Sequence, residues 1–247
     1  MQNAPLIWLA AGSPFPSPDS AWGADTEAPG LLAAGGILNT ESLVKAYRQA
    51  IFPWFSDGQP ILWWSPDPRM VLQISNFRLH KSLRKTIKAF ANDPHCEVRI
   101  DSAFEDVIKA CADAPNRMPN GTWIVPGMVD AYITLHHAGF AHSVEVWVNG
   151  ELQGGLYCVA IGRAVFGESM FSRKSNASKI ALAALVGLCR EHNIQAIDCQ
   201  QNTRHLASLG AKEVSRAAFC TQVEAAQRLT GPVWRFSPLY WSHVLPA

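Results

Sequence analysis

The feature that most constrains the fold is a run of strand-like sequence from His142 to Phe171, HSVEVWVNGELQGGLYCVAIGRAVFGESMF. Hydrophobic and polar residues alternate on both sides of Asn149-Gly150, and Asn-Gly between alternating segments is the strongest short signal for a β-hairpin. A second turn is expected near Gly162. The run therefore predicts three antiparallel strands in succession, at 143–148, 152–160 and 164–170.

The residues after this run indicate a crossover to a fourth strand. The polar stretch SRKSNAS leads into residues 179–192, whose apolar side chains predict a largely buried helix, and a short buried strand follows at 195–199 before another helix. Three strands, a helix, a strand and a helix match the core of the acetyltransferase-type (GNAT-like) fold. In that fold the strands on either side of the central helix splay apart and leave a cleft. We therefore expect an α+β protein with a GNAT-like mixed sheet flanked by helices in residues 76–247.

The first 75 residues differ from the rest of the chain. They are rich in Pro, Gly and Trp, and four prolines between positions 53 and 68 exclude a long helix and confine strands to short edges. We expect residues 1–75 to form a small, irregular N-terminal domain. Helices are also predicted near 41–49, 79–92, 104–114 and 129–138.

The charge of the chain bears on the ligands it can bind. A formal net charge of +1 gives no global basic field, so a contact with nucleic acid requires a local patch. The helix predicted at 79–92 offers one, because its apolar residues share one face and basic residues surround the other. These basic residues are Arg78, Lys81, Arg84, Lys85 and Lys88. They form either a solvated surface or a stripe that binds phosphates.

The cysteines and histidines indicate neither a disulfide framework nor a metal site. The six cysteines contain no C-x-x-C pair and lie mostly in apolar contexts, as free thiols do in a reducing compartment. The eight histidines show no H-x-x-x-H pattern with an acidic partner, and no histidine is tied by spacing to Cys199, so a buried thiol is expected there. No apolar run approaches the length of a membrane span. We therefore expect a cytoplasmic protein without a metal or a membrane contact.

Glu168 is a carboxylate within the apolar third strand, where an unpaired charge costs free energy. If the strands joined by the crossover are neighbours, their ends place Glu168 near Asp198 and Gln200. A spacing of two puts the side chains of Asp198 and Gln200 on one face of an extended strand. Alternatively, Glu168 pairs with a cation such as Arg173 or Arg204 and only ties loops together. The spacing leaves both interpretations open.

Six stretches of the chain together resemble the bacterial leucyl/phenylalanyl-tRNA-protein transferases. They are FPWFSDGQPILWWSPDPR, GTWI, AYITLHHAGFAHSVEVW, GGLYCVAIG, FGESMFSRKSNASK and IDCQQNTRHLASLGA. The resemblance covers the chain from about Leu32 to Arg216. It implies an aminoacyltransferase that moves leucine, phenylalanine and, weakly, methionine from aminoacyl-tRNA to the N-terminal Arg or Lys of acceptor proteins, which marks them for N-end-rule degradation. No cofactor is implied, and we expect a monomer.

The resemblance also implies roles for individual residues at matching positions. The catalytic group would be Glu168, Asp198 and Gln200. The 3′-terminal adenosine would be bound by Trp54 and Trp123, with Tyr47 and Tyr132 nearby. The pocket for the aminoacyl side chain would be lined by Leu156, Met170, Leu182 and Ile197. The acceptor stem would be held by the basic residues named above, from Arg78 to Lys88.

The transfer reaction requires mainly that the enzyme positions the reacting groups and supplies charge near them. An aminoacyl ester is already activated, so the attacking α-amine must be neutral and held at the carbonyl. We expect Asp198 to hold the cationic group of the acceptor, Gln200 to orient the α-amine, and Glu168 to fix Gln200 and help to remove the proton. A substrate-assisted route, in which the ribose hydroxyl or a phosphate takes the proton, is equally compatible.

Two other functions fit parts of the sequence. An acetyltransferase using acetyl-CoA would share the fold, but such enzymes carry a glycine-rich loop before the central helix, where this chain reads SRKSNAS. A non-catalytic RNA-binding module would use the aromatic residues and the basic helix without Glu168, Asp198 or Gln200. Replacement of Gln200 separates the enzyme from the binding module.

Overall fold

The computed structural model describes residues 5–113 and 124–245, and in these ranges the chain forms two β-sheets. The smaller sheet contains β1 (Ile7–Leu9), β2 (Leu31–Gly35), β3 (Phe52–Pro53) and β4 (Leu62–Trp64), in the order β1-β2-β4-β3. The helix α1 (Thr40–Arg48) lies between β2 and β3 in the chain. The short strands agree with the proline-rich sequence, because proline cannot donate a hydrogen bond to a β-ladder.

The larger sheet begins with β5 (Arg69–Gln73), which precedes the domain boundary expected near residue 75. Its other strands are β6 (Cys96–Ile100), β7 (Ala141–Val148), β8 (Glu151–Ile161), β9 (Ala164–Ser172), β10 (Ala196–Gln200) and β11 (Lys212–Val214). The strand order is β11-β5-β10-β9-β8-β7-β6. β7, β8 and β9 are antiparallel neighbours, so the predicted run of three antiparallel strands is confirmed.

The remaining helices pack on the two faces of this sheet. They are α2 (Lys81–Asn92), α3 (Phe104–Ala112), α4 (Pro126–His137), α5 (Ala177–Glu191), α6 (Arg204–Ser208), α7 (Arg216–Gln227) and α8 (Trp241–Val244). Successive side chains of β8 point to opposite faces of the sheet and belong to two separate hydrophobic cores. Tyr157 and Val159 pack with α1, α3, α4 and α7, whereas Leu156 and Cys158 pack with α2, α5 and α8. The fold is therefore α+β, with a mixed sheet flanked by helices, as predicted.

The central helix α5 lies close to β8 at Gly154. A Cβ atom built on Gly154 would lie 2.4 Å from the Cβ of Ala177 and 3.1 Å from the carbonyl oxygen of Phe171. Both neighbours belong to well-packed elements, so neither moves away cheaply. Gly154 is thus required by the close approach of the helix to the sheet rather than by a turn.

Replacing Gly154 with alanine should lower the free energy of unfolding by about 1–3 kcal/mol, because the added methyl group overpacks the interface between helix and sheet. Urea denaturation measures the change. Gly127→Ala is the matched control, because a Cβ atom at Gly127 meets nothing within 4 Å. Equal stability of the two variants would contradict the close packing inferred at Gly154.

The strands β9 and β10 separate after a short pairing. They run parallel and pair at Val165 with Ile197 and at Phe166 with Asp198. Glu168 and the end of β10 lie beyond the last of these pairs. The expected cleft between the strands on either side of the central helix is therefore present.

Candidate active site

A cavity of about 560 Å³ lies where β9 and β10 separate. Its apolar wall includes all four residues expected to form the side-chain pocket, Leu156, Met170, Leu182 and Ile197. Phe52, Leu185 and Leu206 extend this apolar surface. Glu168 and Gln200 line the same cavity, so an apolar site and a polar pair occupy one space.

The carboxyl group of Glu168 is held from two directions. Gln200 Nε2 donates a hydrogen bond to Glu168 Oε1 at 2.9 Å, and the Tyr132 hydroxyl donates to Oε2 at 3.4 Å. In the described part of the chain no cation forms an ion pair with Glu168, and Arg173 instead donates to the carbonyl of Leu152. The alternative in which Glu168 ties loops together through Arg173 or Arg204 is therefore not what the structure shows.

Burial changes the ionisation of Glu168. The residue is 9% exposed. Burial raises the pKa of Glu168 to about 8, and the negative charge of Asp198 acts in the same direction, while hydrogen bonds from Tyr47 and Tyr132 and the charge of Arg69 oppose the rise. At neutral pH this carboxyl group holds a proton most of the time, and it ionises in the range where an α-amine loses its own proton.

The raised pKa predicts how stability depends on pH. Between about pH 4.5 and 8 the folded chain binds a proton at Glu168 that the unfolded chain has released, so this contribution is fully present below that range and is lost as pH rises through it. Glu168→Gln cannot ionise. The melting temperature of the wild type relative to Glu168→Gln should therefore fall from pH 5 to 8 and then level off near pH 9. A difference independent of pH would contradict the raised pKa.

Asp198 forms a buried ion pair with Arg69. Arg69 Nε donates to Oδ1 at 2.8 Å and Nη2 donates to Oδ2 at 2.6 Å, and the side chains of Asp198 and Arg69 are 0% and 1% exposed. The guanidinium group also lies 4.7 Å from the ring centres of Phe52 and Phe219. Both carboxylate oxygens are occupied, so the expectation that Asp198 holds the cationic group of an acceptor conflicts with this geometry.

Gln200 does not follow the regular alternation expected for β10. The register against β5 shifts between Asp198 and Gln200, and Gln200 has φ +57°, in the left-handed region. Its backbone N–H donates to Asp198 Oδ1 at 2.9 Å. A non-glycine residue keeps such a conformation only where its surroundings hold it. The Arg69–Asp198 pair supplies that support, and the amide of Gln200 then reaches Glu168.

The aromatic residues expected at the adenosine fall into three groups. Trp54 is half-buried and lines the cavity. Trp123 lies outside the described residues. Tyr47 and Tyr132 are 0% exposed, and their hydroxyl oxygens lie 2.5 Å apart. A fully buried ring has no free face for a base, so the expected contact of these two tyrosines with adenosine conflicts with the structure.

Thiol and metal chemistry are the alternatives to catalysis by the polar pair. Burial raises the pKa of the Cys199 thiol to about 12, which keeps it protonated and argues against a thiolate nucleophile. No group of three or more metal-ligating side chains occurs in residues 5–113 and 124–245. Among the helices of these same ranges, none is long and apolar enough to cross a membrane.

The basic residues near α2 are all exposed. Lys81, Arg84, Lys85 and Lys88 project from the helix, Arg78 precedes it, and none of them forms an ion pair with a described residue. The apolar face of the helix, with Leu83, Ile87 and Phe90, packs into the core. The geometry is open to either interpretation of this surface, a solvated face or a phosphate-binding one.

Arg69 is the site residue that the sequence reasoning missed. It lies within the quoted stretch SPDPR, directly before the buried residues Met70, Val71 and Leu72. A cation at the start of a fully buried strand requires a buried anion. Asp198 is the acidic residue of the other short buried strand. The sequence therefore contained a signal for the pairing of Arg69 with Asp198.

Family models settle which proteins this chain is related to. The model described as leucyl/phenylalanyl-tRNA protein transferase matches residues 71–224, and the model of the N-terminal domain of the same transferase matches residues 36–67. The chain belongs to this family. The leucyl/phenylalanyl-tRNA--protein transferase of Polaromonas sp. is 61% identical over 98% of this chain and 95% of its own length. The Leptothrix cholodnii and Burkholderia pseudomallei proteins of that name are 56% and 53% identical, over 97% and 93% of this chain and 95% and 90% of their own lengths.

Solved structures are more distant from this transferase family member. A GCN5-related N-acetyltransferase from Kribbella flavida matches with a TM-score of 0.38 at 9% identity, over 68% of this chain and 58% of its own. The L-PGS structure from Bacillus licheniformis matches with a TM-score of 0.37 at 11% identity, over 83% and 65%.

Proposed function

We propose that this chain transfers leucine, phenylalanine and, weakly, methionine from aminoacyl-tRNA to the N-terminal Arg or Lys of acceptor proteins and so marks them for N-end-rule degradation. The observation that carries the proposal is the cavity in which an apolar wall and the Glu168–Gln200 pair meet. Membership of the transferase family supports the same reaction.

The apolar wall suits the side chain of the donor. Leu156, Met170, Leu182 and Ile197 offer no hydrogen bond to a polar side chain. Such a pocket discriminates by only about 1–3 kcal/mol per methylene group. The enzyme should therefore accept leucine, phenylalanine and methionine with graded efficiency and exclude charged aminoacyl groups, whose burial without a partner is costly.

The polar pair suits the attacking amine. The neutral α-amine attacks the ester carbonyl carbon, a C–N bond forms, and the C–O bond to the terminal ribose breaks. Gln200 orients the amine by hydrogen bonding, and ionised Glu168 takes the proton that nitrogen loses, which then passes to the departing ribose oxygen. The ester supplies the driving force, so the reaction requires no cofactor.

In this scheme Asp198 acts on Gln200 and does not contact the acceptor. Its carboxylate is occupied by Arg69 and by the backbone N–H of Gln200, so it fixes Gln200 instead of touching the acceptor. The catalytic group expected from the sequence is kept, with Asp198 given a positioning role.

The tRNA end requires stacking and charge. We assign Trp54 and Trp123 to the terminal adenosine, because aromatic stacking is worth roughly 1–3 kcal/mol per base. We assign the acceptor stem to the exposed basic residues near α2, which have no competing ion pair among the described side chains. The six free cysteines fit a cytoplasmic enzyme, and we propose that it acts as a monomer.

Neutral substitutions on α2 test whether its lysines bind phosphates of the tRNA. The double variant Lys85→Gln and Lys88→Gln should raise KM for leucyl-tRNA and reduce the slope of log affinity against log salt by roughly one for each phosphate that is no longer neutralised. Lys212→Gln, on exposed β11, is the matched control. Unchanged salt dependence in the double variant would assign these lysines to an ordinary solvated surface.

The proposed function is tested by transfer of labelled leucine from leucyl-tRNA to peptides that differ only in an initial Arg or Ala. We expect label on the Arg-initial peptide alone. Leucyl-tRNA binding without transfer would favour the RNA-binding module, and acetyl transfer from acetyl-CoA would favour the acetyltransferase. Either result would overturn the proposal.

A further inference from the structure

Two tyrosine hydroxyls form a buried chain that ends on Glu168. Tyr47 lies on α1 and Tyr132 on α4, and both belong to the core that covers one face of the larger sheet. Their hydroxyl oxygens are 2.5 Å apart, and Tyr132 donates to Glu168 Oε2 at 3.4 Å. This chain of hydrogen bonds therefore runs from the core to the Glu168–Gln200 pair in the cavity.

We propose that Tyr47 and Tyr132 are positioning residues of the transfer reaction, which hold one oxygen of Glu168 while Gln200 holds the other. The inference rests on the proposed function. It departs from the role expected from the sequence, in which these tyrosines bind adenosine, because neither ring has an exposed face.

The burial of the two hydroxyls supports a role beyond packing. Phenylalanine would fill the same volume without taking a hydroxyl group out of water. The Tyr47 ring packs against Phe166, and the Tyr132 ring packs edge-on against Tyr157, as a phenylalanine ring could also do. What tyrosine adds at both positions is the hydroxyl, and both hydroxyls lie in the chain to Glu168.

The other groups around Glu168 leave a distinct task for these hydroxyls. The titratable and charged groups that face Glu168 or share its cavity, besides the two tyrosines, are Arg69, Tyr157, Cys158, Asp198, Cys199 and His205. Arg69 and Asp198 are paired with each other, so their charges act on Glu168 in opposite directions. The two tyrosine hydroxyls act in one direction, because both favour the ionised carboxylate and lower the pKa of Glu168.

The sign of the effect follows from this arrangement. Removal of a donor to the carboxylate disfavours ionised Glu168 and raises its pKa. A base with a higher pKa is ionised in a smaller fraction of molecules at neutral pH. The lower limb of the profile of kcat against pH should therefore move to higher pH, whereas the α-amine of one acceptor peptide titrates identically for every variant.

The test compares wild type with Tyr132→Phe, Tyr47→Phe and the double variant, using kcat and KM for leucyl-tRNA with an Arg-initial peptide from pH 6 to 9.5. Tyr240→Phe is the matched control, because Tyr240 packs against Phe236 and His192 outside the cavity. For Tyr132→Phe we expect a loss of roughly tenfold in kcat at pH 7, with KM unchanged and a smaller loss at pH 9. Both hydroxyls act on Glu168, so the double variant should lose at least as much kcat as either single variant.

Two outcomes would overturn the inference. One is a pH profile unchanged in both single variants. The other is a raised KM for leucyl-tRNA with an unshifted profile, which would return the tyrosines to adenosine binding. If Tyr132→Phe melts below the assay temperature, Tyr47→Phe decides by the same measurements. Absence of transfer by the wild type would defeat the proposed function, whereas wild-type transfer with unshifted variants would defeat this inference alone.

Discussion

Glu168→Gln should lower kcat for leucine transfer by about a hundredfold or more at pH 7.5, the range typical for loss of a general base. Glutamine keeps the shape of the side chain and its hydrogen bond with Gln200, but it cannot take a proton. KM for leucyl-tRNA should change little, because the apolar wall of the cavity is intact. Single-turnover transfer with leucyl-tRNA bound in advance measures the chemical step.

A matched control separates this effect from the loss of any acidic residue. Glu224→Gln removes an exposed carboxylate whose described ion-pair partner is Arg228 on the same helix, and it should transfer like the wild type. Gln200→Ala, like Glu168→Gln, should lower kcat for leucine transfer. Near-normal turnover by Glu168→Gln would assign the proton to the substrate, through the ribose hydroxyl or a phosphate.

Arg69→Met should lower the free energy of unfolding by about 3–5 kcal/mol, because it leaves the Asp198 carboxylate buried without its partner. Transfer activity should fall with stability, since Asp198 also holds the backbone of Gln200. Urea denaturation measures the first effect. Arg228→Met, which breaks an exposed pair, should change stability by less than about 1 kcal/mol.

A double variant separates stability from catalysis. Replacing both partners of a buried ion pair with apolar residues of similar volume is often neutral or stabilising. Arg69→Met with Asp198→Leu should therefore recover much of the lost stability while transfer stays low, because the N–H of Gln200 has lost its acceptor. Full recovery of transfer would show that the ion pair serves folding alone.

The parts of the fold with local signals could be predicted from the sequence. The three strands around Asn149-Gly150 follow from a period of two and a turn dipeptide, and α5 follows from apolar residues at helical spacing. These patterns depend on neighbours in the chain. The four residues that the resemblance implies for the side-chain pocket, Leu156, Met170, Leu182 and Ile197, line one cavity although they lie on four separate elements.

The remaining features depend on contacts between distant segments. Arg69 and Asp198 are 129 residues apart, and their pairing buries the carboxylate of Asp198. The left-handed backbone of Gln200 follows from that pair and not from any property of glutamine. Tyr47 and Tyr132, 85 residues apart, likewise meet only in the folded core. Neither spacing nor resemblance gave these two pairings.

In the proposed reaction the cavity holds the donor side chain while Glu168 and Gln200 face the reacting carbonyl. The most direct measurement is a crystal structure with an adenosine that carries phenylalanine through a non-hydrolysable 3′-amide. We predict the phenyl ring among Leu156, Met170, Leu182 and Ile197, with the amide carbonyl within reach of an amine held by Gln200. A phenyl ring bound outside this cavity, or an amide remote from Glu168 and Gln200, would contradict the account.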